Sequence, residues 1–196
     1  MTNNIPKILI IDGHPNQDSF NCGLTQAYLT GAKETKAELK VITIRNLHFN
    51  ANLQFGYQKI SELEPDLLIA QEKIKWADHL VWIHPVWWGG LPATAKGFID
   101  RVFLPGFAFK YREKSVWWDK LLAGKTARII TTLDTPRIYY RLVFGRPSVN
   151  QLKKTILEFC GIKPVKVTYI GPLRNSTESF RKKMLQKVEV LGRENK

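Results

Sequence analysis

The sequence predicts a doubly wound α/β fold, with a five-stranded parallel sheet in the order 2-1-3-4-5 and helices on both faces. Three observations predict it. Short continuous apolar runs, such as KILII at residues 7–11 and HLVWIH at residues 79–84, have the pattern of strands buried on both faces. These runs alternate with segments of helical periodicity, which implies a parallel sheet. Right-handed crossovers then leave few topologies, and ligands bind beyond the carboxyl ends of the strands near the point where the order reverses.

Residues 7–11 form the first strand, closed by Asp12-Gly13. Residues 21–33 are helical, with Leu24, Ala27, Tyr28 and Ala32 at helical spacing. A second strand covers residues 39–44. Residues 45–61 have no period and read as a long loop. A helix covers residues 65–76. The third strand, residues 79–84, stops at Pro85, and a helix over residues 92–102 opens with proline in its first turn. Residues 103–120 are loop-like and aromatic. The fourth strand covers residues 127–132, a helix covers 149–159, the fifth strand covers 164–170 and a charged helix covers 177–191. The length suits one domain over residues 1–196.

Composition narrows the function classes. Thirty Lys and Arg against 17 Asp and Glu give a net charge of +13. Anionic cofactors, an anionic membrane surface at the periphery, nucleic acid and a merely solvated basic surface all suit that sign. The absence of a basic tail, an RNP-like stretch and zinc-finger spacing disfavours nucleic acid. Two cysteines, Cys22 and Cys160, lack any metal or disulfide spacing, so no metal site is expected. No apolar run reaches the roughly 18 residues of a membrane span, and the start is no signal peptide, so the expected location is cytoplasmic.

Three loops carry candidate chemistry. Residues 13–21 (GHPNQDSFN) leave a buried strand and enter a helix, where unpaired N–H groups favour phosphate, although plain capping by Asp18 or Ser19 also fits. The loop is neither GxxxxGK[ST] nor GxGxxG, which suits a flavin phosphate better than a pyrophosphate-held dinucleotide. Residues 84–92 (HPVWWGGLP) set two tryptophans and two glycines at a strand end. That is a wall for a flat ring or aromatic core filler. Residues 131–140 (TTLDTPRIYY) offer threonines, a carboxylate and a tyrosine pair, or simply a turn. The three loops fall on one rim of the predicted sheet, which argues for a single ligand site.

The stretches KILIIDGHPNQDSFN, PDLLIAQEKIKWADHLVWIHPVWWGGLPATAKGFIDRVFLPGFAF, TTLDTPRIYY and LEFCGI resemble the flavodoxin-like NAD(P)H:quinone oxidoreductase family. The resemblance implies a flavin-dependent NAD(P)H dehydrogenase (quinone). The implied reaction is ping-pong: NADH or NADPH gives hydride to flavin N5, leaves, and is replaced by a flat quinone-like acceptor that takes two electrons. It places His14, Ser19, Phe20 and Asn21 at the flavin phosphate. Pro85, Val86, Trp87 and Trp88 would line the isoalloxazine, and Thr131, Thr132 and Leu133 would follow its pyrimidine edge. Tyr139 would stand near the flavin O2 as the catalytic residue.

The resemblance also implies a homodimer with flavin sites at the interface, covered in part by the aromatic segment 103–118. The longer members pair the tyrosine with a later histidine, but no histidine follows His84 here. Arg137 or Arg141 could stabilise an anionic reduced flavin instead. The loop after Thr132 reads Leu-Asp-Thr-Pro rather than Gly-Gly. The shorter C-terminal region favours FMN, with FAD the alternative. Two other classes fit the fold: an electron-carrier flavodoxin, disfavoured by the basic charge, and an ancillary flavoprotein subunit of a potassium-efflux transporter.

Overall fold

The computed structural model describes residues 5–59 and 61–195. Its main sheet contains β1 (Lys7–Asp12), β2 (Glu38–Thr43), β3 (His79–Pro85), β6 (Thr126–Thr132) and β7 (Val165–Ile170). All neighbours are parallel, in the order β2-β1-β3-β6-β7. This is the expected topology. The intervening numbers belong to a separate antiparallel hairpin of β4 (Phe109–Tyr111) and β5 (Trp118–Lys120). The helices are α1 (Phe20–Lys33), α2 (Pro65–Trp76), α3 (Ala93–Val102), α4 (Arg137–Leu142), α5 (Pro147–Asn150, continued as π-helical turns over Gln151–Glu158) and α6 (Glu178–Arg193). No helix among the described residues is long and apolar enough to cross a membrane.

Burial explains the strand pattern. The three inner strands are buried almost throughout, whereas edge strands β2 and β7 alternate. Leu9, Ile11, Trp82, Phe98 and Ile129 belong to the core on the α2, α3 and α5 face. Ile8, Ile10, Tyr28, Ile83 and Val188 build the core beneath α1 and α6.

Expected and observed elements differ in places with physical causes. The aromatic segment forms the β4–β5 hairpin rather than a loop, because Phe109 stacks edge-on to Phe159 at 5.1 Å and Trp118 lies flat on the same ring at 4.3 Å. α4 arises where a loop is expected. Pro92 caps α3 rather than entering its first turn. The 45–61 loop opens with a 3₁₀ turn, Ile44–Asn46, and Ile60 within it lies outside the described residues, as do residues 1–4 and 196 of the expected domain.

α1 and α6 cross closely through two glycines. A Cβ on Gly31 would stand 1.9 Å from the Glu189 carbonyl oxygen, and one on Gly192 would stand 2.2 Å from that of Tyr28. Helix propensity alone predicts that Gly31→Ala gains about 1 kcal/mol. The backbone clash outweighs this, and we expect the variant to lose about 1–3 kcal/mol in urea unfolding. A stabilised variant would contradict the close crossing.

Candidate functional site

The carboxyl ends of β1, β3 and β6 bring the three loops together. Gly13 donates its N–H to the Ile83 carbonyl at 2.8 Å, holding the first loop against β3. Ser19 then caps α1. Its Oγ accepts the Cys22 N–H at 3.2 Å, which leaves its hydroxyl proton free to point outward. Asn21, buried in the first turn, accepts the Thr132 hydroxyl proton on Oδ1 at 2.8 Å. Its Nδ2 is buried without a partner among the described residues. A buried amide donor left unmatched is costly, and this one lies at the positive end of a helix.

A cavity of about 180 Å³ opens there. His14, Ser19, Phe20 and Asn21 line it from the first loop, Pro85, Val86 and Trp87 from the second, and Thr132 and Leu133 from the third. Nine of the twelve sequence-predicted site residues therefore meet in one space. A second cavity of about 520 Å³ shares Val86, Leu133 and Asp134 with the first and adds Trp88, Gly89, Tyr140 and Phe144. Trp88 and Gly89 form a tight turn, at φ 50° and 75°, closed by reciprocal hydrogen bonds between Trp87 and Gly90. Both central residues are left-handed, as in the mirror-image turns of hairpins. Trp88 is held in this uncommon conformation with its indole fully exposed over the second cavity.

Two predicted residues stand elsewhere. Thr131 is fully buried and donates its hydroxyl to the His84 carbonyl at 3.1 Å, tying β6 to β3. Tyr139 is half-exposed and packs edge-on to Phe144 at 5.1 Å. Its neighbour Tyr140 is the buried tyrosine that lines the cavity.

The sequence reading missed an ion pair that holds the first loop. Asp12, 1% exposed, receives Arg45 Nη1 at 2.6 Å and the His14 N–H at 3.1 Å. Arg45 also donates to the His14 carbonyl at 3.2 Å. In the sequence, Asp12 is visible only as the residue that closes the first apolar run. The His14 ring accepts the Asn16 N–H on Nδ1 at 3.0 Å and meets Trp87 edge-on at 5.5 Å. Burial lowers its pKa, which favours the neutral ring.

His84 is fully buried beneath the second loop, with Nε2 3.1 Å from Ser148 Oγ. Burial pushes its pKa down to about 4 from 6.5. The unfolded chain therefore takes up this proton first, and stability is lost as pH falls from about 6.5 towards about 4. The expected loss is about 3 kcal/mol at the acid end. Urea midpoints measured across that range test it, and His84→Gln flattens the slope. An equally steep slope in the variant would contradict the assignment.

The arrangement thus offers anion donors at one end and a wall for a flat ring at the other. Residues 6–191 match the family described as flavodoxin-like fold. Over 96% of this chain and 99% of the other, the structure superposes on Smu.1420 from Streptococcus mutans UA159 with a TM-score of 0.83 and 35% identity. Among curated proteins, the chain is 31% identical to ribosyldihydronicotinamide dehydrogenase (quinone) of Pongo abelii, over 80% of this chain and 78% of that protein. It is 25% identical to NAD(P)H dehydrogenase (quinone) 1 of Rattus norvegicus, over 93% of this chain and 74% of that protein. With a family match across nearly its whole length, the chain belongs to the flavodoxin-like fold family.

Proposed function

We propose that this protein is a flavin-dependent oxidoreductase that passes two electrons from NADH or NADPH to quinones or similar aromatic acceptors. One observation carries the reading. The buried, unmatched Asn21 amide at the start of α1 faces a cavity that continues beside Trp88 and Leu133. An anion with an attached flat ring fits both halves. The names of the Pongo abelii and Rattus norvegicus relatives support the nicotinamide donor and the quinone.

Asn21 Nδ2, the Ser19 hydroxyl and the first N–H groups of α1 would hold a flavin phosphate. Ser19 and Asn21 line one cavity, which suits the phosphate of FMN, with FAD the alternative. His14 and Phe20 close that end, and Thr132 fixes the Asn21 amide so that its nitrogen points inward. Pro85, Val86, Trp87 and Trp88 would wall the ring, with Leu133 opposite. Thr131 acts behind them by holding β6 to β3. When bound, the flavin supplies hydride acceptance from the donor and two-electron delivery to the acceptor, in a ping-pong order. Tyr139, on Phe144 at the rim, is assigned the catalytic role of holding a proton at the ring's O2 edge.

The assembly proposed is a homodimer, supported by the exposed Val116 and Trp117 of the hairpin. A cytoplasmic location suits the two free thiols, Cys22 and Cys160. The test is anaerobic mixing with NADPH. Bleaching of the yellow flavin, and return of colour on adding a quinone, are expected. Flavin that stays oxidised with both NADH and NADPH would overturn the reading.

A further inference from the structure

Four of the ten arginines, Arg45, Arg101, Arg112 and Arg193, are each ion-paired with a carboxylate. Arg128, Arg137, Arg141 and Arg146 form no ion pair among the described residues. These four line two cavities, of about 360 and 560 Å³, that share Arg146 and Tyr169 and so form one trench. No Asp or Glu lines either cavity.

Two of the four are built into the fold, and Arg137 and Arg141 are exposed beside them. Arg128 is 7% exposed, donates Nη1 to Thr168 Oγ1 at 2.6 Å, and leaves Nε buried without a partner. Burial lowers its pKa, and Tyr28 and Glu194 act on it electrostatically against that. Arg146 sits in a left-handed conformation at φ 56°, with its Nε also buried and unmatched. Arg137 lies over the Tyr169 ring at 5.4 Å. A buried guanidinium without a counter-charge is costly. One buried and one half-buried guanidinium, with two exposed ones beside them in one trench, are what a polyanionic ligand offsets.

The trench meets the ring cavity at Tyr140, which lines both. A molecule with a flat ring beside Trp88 can therefore pass over Tyr140 to Arg141 and Arg146, and on to Arg128. We propose that this trench holds the phosphates of the donor's adenosine half and selects the donor carrying a 2′-phosphate, NADPH, over NADH. The inference rests on the proposed function. The shared pyrophosphate uses part of the positive charge. The extra 2′-phosphate dianion uses the remainder through charge-assisted, fork-like hydrogen bonds.

Two measurements decide it. Calorimetry on the purified protein is expected to show adenosine 2′,5′-bisphosphate binding about tenfold more tightly than 5′-AMP, as for one added charged hydrogen bond. The kcat/KM ratio of NADPH to NADH should exceed one by about the same factor, and Arg137→Gln with Arg141→Gln should lower both ratios towards one. Lys182→Gln, exposed on α6 outside the trench, should leave both ratios as they are. Equal binding of the two probes, equal use of the two donors, or unchanged ratios in the arginine variant would overturn the proposal. If neither donor bleaches a flavin that dithionite reduces, the oxidoreductase reading fails instead, and the bisphosphate measurement still decides the trench.

Discussion

Asn21→Asp is expected to weaken flavin retention by roughly 10- to 100-fold, the equivalent of one hydrogen bond to a charged group together with like-charge repulsion. The remaining oxygen still accepts the Thr132 hydroxyl bond that spans 2.8 Å in the native protein. The new carboxylate stands at 2% exposure, so the melting temperature of the flavin-free protein should also fall, and flavin retention is compared on the folded variant. The substitution replaces a buried donor that lacks a partner among the described residues with a second acceptor. Dialysis followed by absorbance of the retained flavin gives the measurement. A variant that keeps its flavin as well as the parent protein would mean that the phosphate lies elsewhere.

Arg45→Ala is expected to cost about 3 kcal/mol of stability, because it strands the Asp12 carboxylate at 1% exposure. Arg45 itself is 16% exposed, which puts the effect at the lower end for a buried pair. The His14 carbonyl loses a donor as well, so the first loop loosens and flavin retention should fall together with the urea midpoint. Adding Asp12→Asn to the variant removes the stranded charge and should recover most of the stability. If the double variant is no more stable than Arg45→Ala alone, the loss comes from packing rather than charge.

Much of this architecture was legible in the sequence because the inner strands face apolar helices on both sides. KILII and HLVWIH therefore appear as unbroken apolar runs, and their alternation with helices yields the observed strand order. The 13–21 and 84–92 loops were also legible, since strand ends, a capping serine and a Trp-Trp-Gly-Gly turn are local features. The Asp12–Arg45 pair was not, because its partners stand 33 residues apart, one ending β1 and the other in the turn after β2, and neither has a telling neighbour. α4 escaped because Ile138, Tyr139 and Leu142 are all exposed, so no buried face marks it. The β4–β5 strands are three residues each, too short for an alternation to register. Thr131 and Thr132 differ for a simpler reason. Adjacent strand residues point to opposite faces, so only one of the pair can reach Asn21.

The charge was legible in amount but not in arrangement. Between residues 137 and 187 stand twelve Lys and Arg against two Asp and Glu. Spread along the sequence they look like a solvated surface. The fold gathers part of them, with Arg128 from β6, into one trench that leads to the ring cavity.

The central claim is that the cavity at the start of α1 holds a flavin. Heating the purified protein and identifying the released chromophore by chromatography tests it most directly. The expected result is a yellow protein that releases about one FMN per chain. A colourless protein that takes up neither FMN nor FAD would contradict it.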